Sequence, residues 1–124
     1  MARPVQLGST CFINIDIVFS AGADAFFSFR YEQTADNGGI ESIDISDWTG
    51  YMAFARRGER VLECDECLTL DENGFVHVHM TPAVTSLLPA GVYDFNIALK
   101  DQAGIVTSFV EGEATVSKMI AEVN

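Results

Sequence analysis

The sequence predicts an all-β domain, an antiparallel sandwich of about seven to nine strands. Apolar and polar residues alternate with a period of two along most of the chain, turn-forming clusters recur about every ten residues, and no helices alternate with the strands. The 124 residues are the length of one ordinary domain, so we expect residues 1–124 to form a single sandwich. The segments 1–10 and 118–124 are candidates for extended arms.

Alternation indicates the first two strands. In residues 11–19 apolar side chains occupy every odd position, which predicts a strand with one buried face. The segment "SAGAD" then turns the chain, and "AFFSFRYEQ" places Phe27, Phe29 and Tyr31 on one face of a second strand. Turn formers fill residues 34–39.

Two hairpins are predicted in the middle of the chain. Extended residues 40–50 end in an Asp-Trp-Thr-Gly corner that contains Trp48, and a strand at 51–56 returns through 61–64 after a turn at Gly58. In the second hairpin the Asn-Gly pair of "DENG" joins "LTL" to "FVHVHMT". Alternation directs Val76, Val78 and Met80 inward and leaves His77 and His79 outside.

The last third contains the one helical signal. Thr81 suits an N-cap and Pro82 the first helical position, so a short helical turn is expected near residues 82–88. Strands are predicted at 92–100, 105–111 and 113–119, with Gly112 as a bulge or bend between the last two.

The segment "LLPAGVY" has the composition of the corner that precedes a central strand in immunoglobulin-like sandwiches. In that corner Gly91 reverses the chain, and a Tyr, here Tyr93, hydrogen-bonds to the chain just upstream. A buried core aromatic is the alternative interpretation of Tyr93. Phe95 stands where antibody domains have a disulfide cysteine, so packing must hold the sheets together. We expect Phe95→Ala to cost about 3–5 kcal/mol.

Charge and cysteine content exclude several classes of function. Eighteen acidic and seven basic residues give a net charge of −11, which repels nucleic acids and anionic lipids. No apolar run has the length of a membrane span, and no signal peptide is evident. Three cysteines are typical of reduced thiols in a protein made in the cytoplasm. No catalytic motif occurs, so we expect neither an enzyme nor a cofactor nor a small-molecule substrate.

One set of side chains has the chemistry of a zinc site. Cys64, Cys67, His77 and His79 could complete a tetrahedral shell, and both His lie on one strand face. The His-x-His spacing departs from that of zinc fingers, and the neighbouring carboxylates raise thiol pKa values. Incidental cysteines and surface histidines are therefore the favoured interpretation, and the predicted metal content is none.

The segments "DISDWTGYMAFARR" and "DENGFVHVHMTPAVTSLLPAGVYDFNIALKDQAGIVTSFVEGEATV" resemble the small β-sandwich domain of tail and baseplate proteins of long-tailed bacteriophages. That family includes the collar protein that attaches L-shaped tail fibres. The resemblance spans residues 19–116. It implies a non-enzymatic virion component, a collar, adaptor or fibre-attachment subunit that contacts other copies of itself and neighbouring tail or fibre proteins.

Two other functions stay open from the sequence. One is a ligand- or carbohydrate-binding sandwich, for which Trp48 and Tyr51 are the exposed aromatic candidates. The other is an acidic inhibitor that mimics DNA. Apolar residues near the C-terminus, Met119, Ile120 and Val123, indicate either an interface with another subunit or a strand that completes the chain's own sheet.

Overall fold

The protein consists mostly of strands, as the alternation predicts. The computed structural model describes residues 13–34 and 38–121. Within them lie eleven strands, a 3-10 turn at Asp65–Cys67 and one short helix, α1, at Pro82–Thr85. The strands are β1 (Ile13–Asn14), β2 (Ile17–Ala21), β3 (Ala25–Arg30), β4 (Glu32–Thr34), β5 (Ile40–Ser42), β6 (Thr49–Arg56), β7 (Glu59–Glu63), β8 (Leu68–Leu70), β9 (Phe75–Met80), β10 (Gly91–Lys100) and β11 (Val106–Lys118). No helix in the described ranges is long and apolar enough to cross a membrane.

Nine of the eleven strands form two sheets that pack face to face, and the other two form a separate two-stranded ribbon. The larger has six strands in the order β1-β11-β10-β6-β7, with β2 also paired to β11; the smaller has the order β3-β9-β8, and β4 pairs with β5. Neighbours are antiparallel except for β1 and β2, which run parallel to β11. This is the predicted immunoglobulin-like sandwich. Only one or two residues separate β1 from β2 and β3 from β4. If each of these pairs is counted as one broken strand, the eleven strands become nine.

Aromatic and aliphatic packing between the sheets forms the core. Phe19 of the larger sheet meets Phe27 of the smaller one, with ring centroids 6.3 Å apart, and Phe109 meets Tyr31 at 5.5 Å. Phe95 is buried and stacks on Phe54 at 6.1 Å. The inward faces predicted for β9 and β10 are confirmed, since these side chains are buried: Val76, Val78, Met80, Tyr93, Phe95, Ile97 and Leu99.

The end of the chain differs from the prediction. β11 is one continuous strand, whereas two strands separated by Gly112 were predicted. The irregularity instead lies at Phe109, because Ile97 pairs with Val110 and Ala98 with Ser108. Gly112 is required for another reason: a Cβ there would lie 1.8 Å from the carbonyl oxygen of Ile15, which crosses directly over it.

The start of the chain also differs. The first strand was predicted as one run over 11–19, but it breaks after Asn14, and Ile15, predicted to be buried, is 42% exposed. The break lies at the crossing over Gly112, where backbone contact replaces side-chain packing. Of the predicted extended segment 40–50, only residues 40–42 and 49–50 are in strands. Cys11 lies outside the described residues.

The segment between β9 and β10 is held by two sets of side-chain hydrogen bonds. The Tyr93 hydroxyl donates to the carbonyl oxygen of Pro89 over 2.5 Å, which is the bond of a tyrosine corner. On α1 the fully buried Thr85 hydroxyl accepts from the N–H of Gly22 (3.0 Å) and donates to the carbonyl of Ala23 (2.9 Å). The helix therefore holds the β2–β3 turn in place. Thr81 takes the predicted N-cap position but without a side-chain cap hydrogen bond.

Candidate functional site

A concave trough of about 620 Å³ lies on the outer face of the six-stranded sheet. Its floor contains four small residues, Ala53, Ala55, Gly58 and Gly112, beside the buried Phe54 and Phe95. Its polar lining contains four carboxylates, two amides and one guanidinium, from Asp16, Asp94, Glu111, Glu113, Asn14, Asn96 and Arg60. We call this surface the acidic trough. The strand alternation directs these polar side chains outward while their neighbours in sequence fill the core.

Strand register places like charges side by side in the acidic trough. Asp94 of β10 lies directly opposite Glu113 of β11, and Asn96 lies opposite Glu111. Like charges at directly opposed positions destabilise a sheet. Among the described residues, neither Asp94 nor Glu113 has a cation partner, since Arg60 is paired with Glu63. Like charges thus lie side by side on this face, and a cationic partner would be attracted to them.

A hydrogen bond between a side chain and the backbone fixes Asp16 at the wall of the trough. Its carboxylate accepts a hydrogen bond from the N–H of Glu113 over 3.1 Å, so the β1–β2 break is tied to β11. At the other end, a smaller hollow of about 280 Å³ adjoins the trough and contains Tyr51, which is 38% exposed. The two hollows share Ala53, Asn96 and Arg60.

The four residues predicted to be structural lie around the core. Tyr93 and Phe95 are buried, and Trp48 is half-buried with its ring edge-on to Tyr31 at 5.2 Å. Gly91 has a φ of 153°, and a Cβ there would lie 2.9 Å from the guanidinium of Arg56. That guanidinium also lies 5.3 Å from the centre of the Tyr93 ring. Trp48 is therefore less exposed than the sequence predicted, although it lines a surface hollow together with Thr49 and Leu68.

The hypothesised zinc set is not brought together. Cys64 and Cys67 are buried behind β6, where the 3-10 turn is fixed by a hydrogen bond from the N–H of Met52 to Asp65 (2.9 Å). His77 and His79 lie on the opposite, outward face of β9. Within the ranges described, no three His, Cys, Asp or Glu side chains form a group that could hold a metal.

Burial controls the chemistry of the two thiols. It is the main reason that the pKa of Cys64 is far above its ordinary value, with the neighbouring Cys67 thiol and the carboxylates of Glu66 and Asp65 adding to the shift. Burial also raises the pKa of Cys67. The sequence predicted the direction from the carboxylates alone, but they are the smaller cause. Both thiols are free, and their protonated state makes them poor nucleophiles.

The predicted C-terminal interface residues are divided between two environments. Met119 is half-buried, and its methyl group approaches Gly22, where a Cβ would lie 3.6 Å from it. Ile120 is 97% exposed. Val123 lies outside the described residues, as do segment 1–10 and the end of segment 118–124. Lys118 is the last residue of β11.

Sequence reasoning missed the acidic trough and one exposed aromatic. Asp94 and Asn96 were recognised as outward-facing, but their partners on β11 depend on the register and its shift at Phe109. Phe26 is 70% exposed and stacks on His79 with 4.3 Å between ring centres. The sequence did contain a signal for this exposure, because Phe26 stands at an even position in a strand whose odd positions face the core.

No family model matches the chain, and no curated protein does. Similar solved structures include a Bacteroides ovatus mixed-linkage glucan utilization protein, SGBP-B, in complex with a heptasaccharide. The two share 13% identity with a TM-score of 0.40, and the match covers 90% of this chain and 24% of that one. Fibronectin(III)-like modules of Clostridium thermocellum CbhA share 11% identity over 86% of this chain and 88% of theirs, with a TM-score of 0.34. A variant of the Streptococcus sanguinis adhesin SrpA shares 20% identity over 87% of this chain and 57% of that one, with a TM-score of 0.38.

Proposed function

We propose that this protein is a non-enzymatic structural component of a bacteriophage tail, a collar, adaptor or fibre-attachment subunit that docks through the acidic trough. The resemblance over residues 19–116 supports the tail assignment. The observation that supports docking is the opposed pair Asp94 and Glu113, which places two like charges side by side in a concave face. The partners would be other copies of the chain or neighbouring tail and fibre proteins, in a virion assembled in the host cytoplasm.

The chemistry of the trough favours a partner segment with Arg or Lys side chains. Four carboxylates and one guanidinium line the trough, so a cationic segment would gain from long-range attraction as well as from direct pairs. Small floor residues leave space for side chains to enter. An interface of this kind weakens as salt is raised, because exposed charges are screened within about 10 Å at 0.1 M salt.

Light scattering on the purified protein, alone and mixed with candidate tail proteins, tests the proposal. We expect a multimer or a defined complex that dissociates between 50 mM and 500 mM salt. The double variant Asp94→Asn, Glu113→Gln should weaken it at least tenfold, whereas Glu72→Gln, an exposed carboxylate in the β8–β9 turn, should not. A strict monomer that binds immobilised polysaccharide would instead establish the carbohydrate-binding alternative, for which the exposed ring of Tyr51 beside the trough is the relevant feature.

A further inference from the structure

Three side chains on the outer face of the three-stranded sheet form a hydrogen-bonded relay. The hydroxyl of Ser28 on β3 lies 2.9 Å from Nδ1 of His77 on β9. Nε2 of the same imidazole lies 3.0 Å from Oδ2 of Asp71, at the end of β8. Because an ionised carboxylate only accepts, Nε2 carries the proton, and in the neutral imidazole Nδ1 is left to accept from the serine. This is the polarity of a serine nucleophile, its base and the carboxylate that orients the base.

Each member of the relay is held in place from outside. Asp71 accepts hydrogen bonds through Oδ1 from the N–H groups of Asn73 and Phe75, both over 2.9 Å. The bond from Phe75 is the main reason that the pKa of Asp71 is below its ordinary value, with His77 contributing, so the carboxylate is charged at neutral pH. The imidazole stacks on the Phe75 ring at 5.5 Å with 17° between the planes.

The sheet also leaves a backbone donor beside the serine. The N–H of Tyr31 donates to the carbonyl of Gly74, so that pair is a hydrogen-bonded one, and alternation along the ladder makes Ser28 and His77 a non-hydrogen-bonded pair. The N–H of Ser28 consequently points away from β9. Among the described strands none pairs with that edge of β3, so within the described part of the chain this N–H faces no other strand. Serine hydrolases stabilise the developing oxyanion with such donors, including the N–H of the nucleophile itself.

An apolar surface adjoins the nucleophile. Phe26 lies two residues before Ser28 on the same face and is 70% exposed, with its ring held against His79. His79 is fixed in turn by Asp24, 2.9 Å from its Nε2. On the other side, Arg30 lies over the Phe75 ring at 5.4 Å. The face therefore presents an aromatic platform next to a polarised hydroxyl.

We propose that Ser28 is a nucleophilic serine that accepts the acyl group of carboxylic esters whose apolar part lies on Phe26, with His77 as general base and Asp71 as positioning residue. The Ser28 oxygen attacks the carbonyl carbon while its proton moves to Nδ1 of His77. The ester C–O bond then breaks, the leaving alcohol takes that proton, and water hydrolyses the acyl-serine. This activity goes beyond the proposed tail role, which requires no catalysis and does not depend on it.

Labelling with an alkyl fluorophosphonate tests the proposal. Attack by Ser28 on phosphorus would release fluoride and leave one phosphonate per chain, located by peptide mass mapping. We expect Ser28→Ala to abolish the adduct, His77→Gln to slow it by at least ~10²-fold, and Ser117→Ala, an exposed serine bonded to Ser20, to label at the wild-type rate. No adduct, an adduct elsewhere, or a His77→Gln protein that labels normally would each overturn the proposal.

Two further measurements separate chemistry from a purely structural network. Asp71→Asn replaces the ionised acceptor of the Nε2 proton by a neutral amide, so the pH of half-maximal labelling should change. The other titratable groups on this face of the described sheet are Arg30, Glu32, Asp24 and His79, and they are unchanged in that variant. Phe26→Ala should raise KM for p-nitrophenyl butyrate more than it changes kcat. An unshifted pH profile together with an unchanged KM would contradict the assigned roles.

Discussion

Replacing Gly112 by alanine probes the point at which the first strand crosses the last. The added Cβ would lie 1.8 Å from the carbonyl oxygen of Ile15, so the two backbones must separate by about 1.6 Å to reach an ordinary contact of 3.4 Å. That movement would break the hydrogen bond from the N–H of Ile15 to the carbonyl of Glu111 (3.0 Å) and the one from Glu113 to Asp16 (3.1 Å). At about 1 kcal/mol for a neutral bond and about 1.5–3 kcal/mol for one to a charged group, we expect a loss of about 2.5–4 kcal/mol in the free energy of unfolding.

Urea unfolding measures that loss, and amide hydrogen exchange locates it. Exchange protection should fall at Ile15 and Glu113 before the rest of the sheet is affected. Gly50→Ala is the matched control. Its Cβ would lie 2.9 Å from a methyl group of Leu68, which is the movable end of a side chain, so it should cost less than about 1 kcal/mol. A Gly112→Ala protein as stable as the control would refute the reasoning.

Three other predictions concern stability. Tyr93→Phe removes the donor to the Pro89 carbonyl and should cost about 1 kcal/mol in urea unfolding, and an unchanged midpoint would show that the corner bond contributes nothing. Thr85→Val keeps the shape but leaves the N–H of Gly22 and the carbonyl of Ala23 without their partner, so a loss of about 1–3 kcal/mol is expected, whereas Thr85→Ser should retain most of the stability. The pKa of Asp71 is lowered in the folded protein, so its contribution is present above the ordinary carboxyl value of 3.8 and is lost as pH falls through the lower folded value. Thermal melts from pH 5 to pH 2 should therefore show a smaller acid-induced loss for Asp71→Asn than for the wild type, and identical slopes would contradict this linkage.

The parts of the fold that could be predicted are those that local patterns determine. The period of two assigns Val76, Val78 and Met80 to the core because neighbouring side chains on a strand must point to opposite faces. The corner at Tyr93 was proposed from composition within a few residues, and its hydrogen bond spans only four positions. The hairpin at Gly58 has the same local origin, although its tip also places Arg57 at a φ of 54°, which the sequence did not indicate.

The parts that could not be predicted depend on distant contacts. Gly112 looks like a strand breaker on its own, and only the approach of Ile15, 97 positions earlier, explains why the strand continues through it. The acidic trough could not be predicted for the same reason, because the pairing of Asp94 with Glu113 depends on the register between β10 and β11. The relay of Ser28, His77 and Asp71 likewise joins three strands or turns of one sheet. Alternation predicted that His77 faces outward, but not what it meets there.

The parallel pairing of β2 with β11 has a consequence for how the protein folds during synthesis. Ile17 of β2 pairs with Ala114 of β11. The ribosome therefore synthesises β2 well before the strand with which it pairs. The ribosome must release β11 before the larger sheet can close, and until then β2 and one edge of β10 stay bare. Such non-local pairing makes folding slow, and unpaired edges are open to association with other chains. Chaperone protection of the nascent chain should therefore matter most at the moment just before β11 emerges.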